Sequence, residues 1–199
     1  MKIALFGASG TIGSRIAQEA RDRGHTVTPL GSKDADAKDA DAVATVVRGH
    51  DAIVNAVGPN HGDEPADMLA QVARALIEGA HKAGVKRLAV VGGAGSLEVA
   101  PGLKLVDAPT FPAALRDLAL AHEQALQIYR SAAGLDWSYL SPAALIEPGA
   151  RTGKYRTGGE QLLTDAQGNS KISAEDYAVA LIDELERSQH VKERFAVAY

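Results

Sequence analysis

The stretch that decides the fold is residues 2–13, KIALFGASGTIG, in which an apolar run leads directly into three spaced glycines. The run 2–6 predicts a short buried strand, and the turn 7–13 has the spacing Gly-x-x-Gly-x-x-Gly before a helical pattern. Glycines at such a turn let backbone N–H groups approach phosphate oxygens without interference from Cβ atoms, and the helix N-terminus adds positive potential. The stretch therefore predicts a pyrophosphate-binding turn, against the alternative of a tight turn without a ligand. The candidate binding residues are Gly7, Ser9, Gly10, Thr11, Ile12 and Gly13.

The bulk composition argues against several classes of protein. The 199 residues carry a formal net charge of -4 with 23% charged residues and no basic block, which disfavours a nucleic-acid-binding surface. The absence of cysteine excludes disulfides and thiol chemistry, and the six histidines show no metal-ligand spacing, so no metal is predicted. No apolar run approaches the roughly 20 residues that span a bilayer, so we expect a cytoplasmic protein without a membrane partner. The length favours one domain over residues 1–199 and leaves a homo-oligomer open.

Short apolar runs alternate with amphipathic stretches over the rest of the chain. Helices are predicted from the glycine turn to about residue 23, around 69–80, over 113–131, and after Ser173, which resembles the first residue of a capping box. The Ala/Asp-rich segment 34–41 is interpreted as a loop and the start of a helix. Strands are predicted at 26–30, 51–55, 86–91, 136–140 and 194–199. This alternation predicts an α/β fold, a doubly wound parallel sheet with helices on both faces and ligands at the carboxyl ends of the strands.

Several motifs along the chain carry a family resemblance. The segments are Gly7 to Gly13, 55–59 (NAVGP), 91–98 (VGGAGSLE), 135–137 (LDW), 141–142 (SP) and 173–178 (SAEDYA). With them the chain resembles the atypical short-chain dehydrogenases, in the NmrA-like branch of the NAD(P)-binding proteins, and most of all the bacterial proteins provisionally named NADH-flavin reductases. The resemblance covers almost the whole chain and implies a Rossmann-like fold with a nicotinamide cofactor.

The end of the second predicted strand bears on the choice of cofactor. An acidic residue there would accept hydrogen bonds from the ribose 2′-OH of NAD(H), and the strand ends without one. Ser32 and Lys33 follow the strand and can bind a 2′-phosphate, and Arg15 could turn toward the same pocket. NADP(H) is therefore favoured over NAD(H). The alternatives are that both basic residues are solvated surface, or that Asp34 or Asp36 reverses the preference because the strand ends later.

Small residues at the ends of the middle strands predict the other wall of the cofactor crevice. They let the cofactor lie against the main chain, although the same glycine-rich strand ends also occur as plain tight turns. The adenosine side is assigned to Ala56, Val57 and Gly58, and the nicotinamide side to Val91, Gly92 and Gly93. By resemblance, Pro142 flanks the nicotinamide carboxamide.

The family's Tyr-x-x-x-Lys pair, which supplies a proton to a carbonyl substrate, is absent from the helix expected to carry it. If His122 takes the place of the lysine, Leu118 takes the place of the tyrosine and cannot donate a proton. Ser96 stands where the family's active-site hydroxyl follows the strand, so Ser96 and His122 are the candidate catalytic residues. We expect Ser96 to bond the acceptor or the carboxamide and His122 to hold the nicotinamide ribose. The alternatives are a buried structural histidine and a serine that caps the turn after Gly95.

These features predict an NAD(P)H-dependent reductase. A flavin accepts hydride and spreads the charge over its rings, so a flavin, a quinone or a similar conjugated acceptor needs no tyrosine-like acid. We expect flavin as a substrate rather than a tightly bound group, in an acceptor pocket formed by segments 93–115 and 141–165, with Phe111 or Tyr155 in its wall. The alternatives are an NADP(H)-sensing regulator without catalysis and a carbonyl reductase or epimerase of small substrates.

Overall fold

The computed structural model describes residues 1–59 and 65–199. The strands are β1 Lys2–Phe6, β2 Thr26–Leu30, β3 Ala52–Asn55, β4 Arg87–Val91, β5 Glu98–Ala100, β6 Leu103–Lys104, β7 Asp136–Ser141, β8 Leu145–Glu147, β9 Arg156–Gly158, β10 Lys171–Ser173 and β11 Glu193–Ala198. The helices are α1 Thr11–Asp22, α2 Ala40–Val47, α3 Pro65–Ala83, α4 Arg116–Arg130 and α5 Ala174–Arg187. Among these helices, none is both long enough and apolar enough to cross a membrane.

The described residues form a seven-stranded sheet in the order β2-β1-β3-β4-β7-β11-β9. The pairs from β2 to β11 are parallel, and β9 runs antiparallel to β11 at one edge. The other edge strand, β2, contains Pro29, which has no N–H to offer a further strand. The predicted doubly wound Rossmann-like sheet is confirmed.

Helices cover both faces of this sheet, which explains why the central strands β1, β3 and β4 consist mostly of buried apolar residues. Because side chains alternate across a strand, Ala4 and Phe6 pack toward α2, α3 and α4, while Ile3 and Leu5 pack toward α1 and α5. The polar turns that link strands to helices therefore collect at the two ends of the sheet. The carboxyl ends of β1, β3, β4 and β7 meet at one of these ends.

Segment 34–41 leads into a helix, α2, as expected, and the Asp39 carboxylate caps it by accepting hydrogen bonds from the amides of Asp41 and Ala42 at 2.9 and 3.2 Å. Other elements differ from the sequence-based expectation. The expected helix over 113–131 is divided into a 3-10 turn, 113–115, and α4. The pairs β5–β6 and β8–β10 and the edge strand β9 were not predicted, since strands of two or three residues carry too little periodicity.

Candidate functional site

The first and third glycines of the turn are required by the packing of the chain on itself. Gly7 has a φ of +76°, and a Cβ atom on it would lie 2.4 Å from the carbonyl oxygen of Ala56. A Cβ atom on Gly13 would lie 2.1 Å from the carbonyl oxygen of Gly7. The Gly7 amide donates to the carbonyl of Leu30 at 3.0 Å, which ties the turn to β2. The turn is therefore held against β2 and β3 by main-chain contacts.

The middle glycine, Gly10, faces open space. A Cβ atom on it would meet no described atom closer than the Gly7 carbonyl oxygen, at 3.4 Å. Gly10 is the N-cap of α1, and within the described chain no side chain caps this end and no acidic residue occupies its first turn. Among the described residues, no side chain therefore caps the amides at the start of α1. This arrangement fits the pyrophosphate of a dinucleotide, which binds to such amides and to the positive end of the helix.

A cavity of about 470 Å³ opens beside this turn, between the carboxyl ends of β1, β2 and β3. Its volume is within the range of ligand pockets. Met68 and Val72 of α3 supply an apolar wall. The predicted cofactor residues that line it are Gly7, Ser9, Gly10, Ser32, Ala56, Val57 and Gly58. The structure therefore brings the glycine turn and the adenosine side of the expected site together.

A buried amide side chain fixes the β3 wall of this cavity. The Asn55 Oδ1 atom accepts a hydrogen bond from the Val57 amide at 3.1 Å, and the Asn55 Nδ2 group donates to the Tyr129 hydroxyl at 3.1 Å. Asn55 and Tyr129 are both buried. The main chain at Ala56 and Val57 is thus held in place before any ligand arrives. Sequence reasoning missed Asn55, because its partner Tyr129 lies far along the chain.

The basic residues expected at the 2′-phosphate are arranged differently. Arg15 donates from Nε to the Glu175 carboxylate at 3.1 Å and from Nη1 to the Thr11 carbonyl at 3.1 Å, so it faces α5 rather than the cavity. Lys33 is not among the residues that line the cavity. A carboxylate distant in sequence thus holds the Arg15 guanidinium in this structure, and a role for Arg15 at the 2′-phosphate stays a prediction.

Two residues that the sequence did not assign to the phosphate site, Asp36 and Lys38, line the cavity instead. The Asp36 Oδ1 atom accepts a hydrogen bond from the Lys38 amide at 2.9 Å. Asp34, the other acidic candidate, accepts a hydrogen bond from the Gly31 amide at 2.8 Å and so closes the turn after β2. One cation and one carboxylate therefore line the cavity where the adenosine is expected. Their place in the irregular loop between β2 and α2 gives no periodic signal in the sequence.

On the nicotinamide side, Gly92 and Gly93 follow β4 and make room for neighbouring side chains. A Cβ atom on Gly92 would lie 2.1 Å from the Tyr139 ring, and one on Gly93 would lie 2.8 Å from the His122 Cβ atom. The carbonyl of Leu140 accepts from both the Gly92 amide, at 2.8 Å, and the buried Tyr177 hydroxyl, at 2.7 Å. The smallness of these glycines is therefore explained by the packing of the protein itself. Val91 is the last residue of β4, and Pro142 follows the last residue of β7, so both lie at the carboxyl ends of the strands.

His122 lies on α4 against the backbone of Gly93. The Tyr139 hydroxyl donates to the His122 carbonyl at 3.0 Å and lies 3.4 Å from the His122 Nδ1 atom. Desolvation lowers the pKa of His122 to about 4, so its imidazole is neutral at neutral pH. His122 therefore stands at the carboxyl end of β4, but it does not line the adenosine cavity.

Ser96 occupies a buried polar network. Its hydroxyl accepts a hydrogen bond from Nη1 of Arg194 at 3.1 Å, and Arg194 also pairs with the Glu160 carboxylate. Glu160 is bonded in turn by Arg130 at 2.7 Å. The Ser96 residue is only 8% exposed. The Ser96 hydroxyl is thus hydrogen-bonded to a buried guanidinium group. A catalytic role for Ser96 stays a prediction.

Part of the segment expected to form the acceptor pocket lies against α1 and α5. The buried Asp176 carboxylate accepts from the amides of Thr152 and Gly153 at 2.8 and 2.7 Å. Glu19 binds Arg151 through two hydrogen bonds of 2.6 and 2.8 Å, and the Tyr155 hydroxyl donates to the Asp183 carboxylate. The Tyr155 hydroxyl is therefore held by α5, and a place for Phe111 or Tyr155 in a pocket wall stays a prediction. An acceptor pocket over 93–115 and 141–165 stays a prediction.

Comparison with known proteins agrees with this geometry. A crystal structure of a provisionally named exported protein from Burkholderia pseudomallei is 48% identical, with a TM-score of 0.92 and full coverage, 100%, of both chains. A provisionally named epimerase from Bacteroides thetaiotaomicron is 41% identical, with a TM-score of 0.91, over 100% of this chain and 96% of that one. A provisionally named NADH-flavin reductase from Streptococcus pneumoniae is 33% identical, with a TM-score of 0.89, over 100% and 99% of the two chains. The cytoplasmic location stays a prediction, since one relative is named an exported protein.

A family model described as NAD(P)H-binding matches residues 7–188, which include the glycine turn, the cavity beside it and the ends of the middle strands. The resemblance inferred from the sequence motifs is confirmed by this match and by the Streptococcus pneumoniae structure. The chain therefore belongs to the NAD(P)H-binding family.

Proposed function

We propose that the protein is an NADPH-dependent oxidoreductase that transfers hydride to a free flavin, a quinone or a similar conjugated acceptor. The observation that carries the proposal is the turn at Gly10, the N-cap of α1, which has no side-chain cap and lines the cavity between β1, β2 and β3. The name of the Streptococcus pneumoniae relative, which refers to NADH and flavin, supports the choice of acceptor class.

The reaction needs binding and orientation more than acid catalysis. A bound nicotinamide supplies a hydride, which carries two electrons to the acceptor, and a solvent proton completes the reduction of a flavin or quinone. At this site the amides at the start of α1 would hold the pyrophosphate of the cofactor, and the ends of β4 and β7 would orient the nicotinamide toward the acceptor. His122 is neutral at neutral pH and Leu118 cannot donate a proton, so the residues present suit an acceptor that delocalises charge.

For cofactor choice, we propose that Lys38, rather than Lys33 or Arg15, selects NADPH. Lys38 and Ser32 both line the cavity, and an ammonium group and a hydroxyl group can each donate a hydrogen bond to a 2′-phosphate. Asp36 opposes this preference, because its carboxylate would accept from a ribose 2′-OH and repel a phosphate. The charge balance of this pair is therefore the proposed determinant of specificity.

The experiment that tests the function follows nicotinamide absorbance under anaerobic conditions, with NADPH or NADH and FMN, riboflavin or menadione. We expect oxidation of NADPH above the rate without protein, with flavin released as the reduced product. Calorimetry measures binding of each nicotinamide in parallel. If neither nicotinamide binds, the proposed function is wrong.

A regulatory role is the second candidate, and the engagement of Ser96 by buried Arg194 favours it. In a sensor the site binds NADP(H) without chemistry, and the bond from Arg194 gives Ser96 a structural role. Tight binding of NADPH with no turnover across flavins, quinones and small carbonyl compounds would support this candidate over the reductase. Turnover of a carbonyl compound alone would instead indicate the carbonyl reductase alternative.

A further inference from the structure

The Tyr139 hydroxyl is buried between the end of β4 and helix α4. Its ring packs where a Cβ atom of Gly92 would otherwise lie, and its hydroxyl donates to the His122 carbonyl at 3.0 Å. Tyr139 is 1% exposed, so water does not compete for these contacts. The single proton of this hydroxyl is thus directed to a main-chain carbonyl.

The contact between Tyr139 and the His122 ring then constrains the histidine proton. A phenolic oxygen that has donated its proton has only lone pairs left to face Nδ1, at 3.4 Å. A lone pair on Nδ1 would be repelled, whereas an N–H group there would be attracted. The Nδ1–H tautomer is therefore favoured, which leaves the lone pair on Nε2. Across the two described ranges, Nε2 of His122 has no hydrogen-bond partner.

We propose that Tyr139 is a positioning residue that holds His122 in the Nδ1–H form, so that Nε2 accepts a hydrogen bond from an O–H or N–H group of the bound ligand. The inference rests on the proposed function, because the ligand is the nicotinamide cofactor or its hydride acceptor. It makes His122 a binding residue at the end of β4 rather than a proton donor.

This chemistry distinguishes classes of ligand. A ribose hydroxyl of the nicotinamide half and the imide N–H of a flavin or lumazine ring are both donors that suit the Nε2 lone pair. An oxidised quinone without hydroxyl groups offers only acceptor oxygens and gains nothing from it. If the partner is the acceptor, flavin-like rings are favoured over quinones; if it is the ribose, both acceptor classes benefit equally.

The tautomer is measured directly by ¹⁵N NMR of protein labelled at histidine, without cofactor, at neutral pH. The His122 signals are assigned as those lost in His122→Asn. We expect a protonated Nδ1 and an unprotonated Nε2 in the wild type, and a shift toward the Nε2–H form in Tyr139→Phe. The matched control is Tyr129→Phe, which removes another buried hydroxyl that contacts Asn55 rather than His122. The control is expected to leave the His122 signals unchanged.

A wild-type spectrum with Nε2–H would overturn the proposal, and this result does not depend on the folding of any variant. Signals that are the same in Tyr139→Phe as in the wild type would overturn the role of Tyr139. Titration of the wild type with NADP⁺ or with FMN then identifies the source of the donor. A shift of the Nε2 signal with NADP⁺ assigns the ribose, a shift with FMN assigns the flavin imide, and no shift with either overturns the binding role.

The proposed function can fail separately. If calorimetry shows no binding of either nicotinamide, the reductase is rejected, whereas the tautomer of the free protein is still decided by its own spectrum. Where binding occurs, one ligand shifts the Nε2 signal. We expect Tyr139→Phe to lower the affinity for that ligand by about 2- to 12-fold, which is the effect of one neutral hydrogen bond. Unchanged affinity for that ligand in a folded Tyr139→Phe protein would contradict a binding role for the contact between Tyr139 and His122.

Discussion

The main chain of Gly13 packs so closely on Gly7 that a Cβ atom at position 13 would lie 2.1 Å from the Gly7 carbonyl oxygen. Gly10, between them, has a φ of -71° and a ψ of 170°, which any residue can adopt, and space for a Cβ atom. The three glycines of one turn therefore have different tasks. Two preserve the fold, and the third preserves the space for a phosphate.

Gly10→Ala is expected to fold normally and to bind NADPH at least about tenfold more weakly, because its methyl group enters the space assigned to the pyrophosphate. Gly159→Ala is the matched control, since a Cβ atom there meets no described atom within 4 Å. Gly13→Ala is expected to lower stability by roughly 1–3 kcal/mol through overpacking. Thermal unfolding and calorimetry measure the two effects. Unchanged NADPH affinity in a folded Gly10→Ala protein would contradict the assigned phosphate position.

Lys38→Ala is expected to lower the affinity for NADPH by about tenfold or more, because a charge-assisted hydrogen bond to the 2′-phosphate is lost. The affinity for NADH should stay nearly unchanged. Asp36→Asn should have the opposite effect on the NADPH-to-NADH ratio. Lys33→Ala is the matched control, as this lysine does not line the cavity. Dissociation constants for both cofactors test the prediction. If Lys33→Ala lowers the affinity for NADPH more than Lys38→Ala does, the residue that selects the cofactor is Lys33, after the end of β2.

The low pKa of His122 predicts how stability depends on pH. Because desolvation lowers the pKa to about 4 in the folded protein, from 6.5, the unfolded chain takes up the proton first. The free energy of unfolding should therefore fall as the pH is lowered from about 6.5 toward about 4. His122→Gln should show less of this loss, as measured by urea denaturation at a series of pH values. Identical slopes in the two proteins would mean that His122 is not desolvated.

Glu184 is expected to stabilise the end of the sheet where β4 and β7 begin, opposite to the glycine turn. Although desolvation opposes it, hydrogen bonds from His190 and Ser138 keep the pKa of Glu184 below its usual range, and Arg87 pairs with it at 2.8 Å. The stabilisation is present above the unfolded-state pKa and is lost as the pH falls through the folded-state value. Glu184→Gln should cost roughly 3 kcal/mol at neutral pH, since it leaves a buried arginine unpaired.

Denaturation of Glu184→Gln measures this loss, and NADPH titration provides the control. Glu184 lies on α5 beside the start of β4 and β7, away from the glycine turn, so cofactor affinity should stay unchanged in the folded variant. A large loss of affinity without a loss of stability would show that this cluster serves the binding site.

The sequence predicts what is set by local pattern. The turn at Gly7–Gly13 and the apolar strands depend on neighbours a few residues away, and the structure has them at the expected positions. The partners of Arg15 and Tyr155 do not follow from the sequence, because Glu175 and Asp183 are carboxylates that only the folded chain brings near. Gly92 and Gly93 were interpreted as space for a cofactor. The structure shows that Tyr139 and His122 fill part of that space, which no spacing rule reveals.

The short antiparallel strand β9 and the proline in β2 have a consequence for self-association. An exposed sheet margin is a template on which another molecule can add a strand and begin a fibril. Here one edge strand, β9, is only three residues long. The other edge strand, β2, lacks a backbone N–H donor at Pro29. Growth of the sheet from molecule to molecule is therefore discouraged at both sides, so the protein should resist strand-mediated aggregation even when it is concentrated.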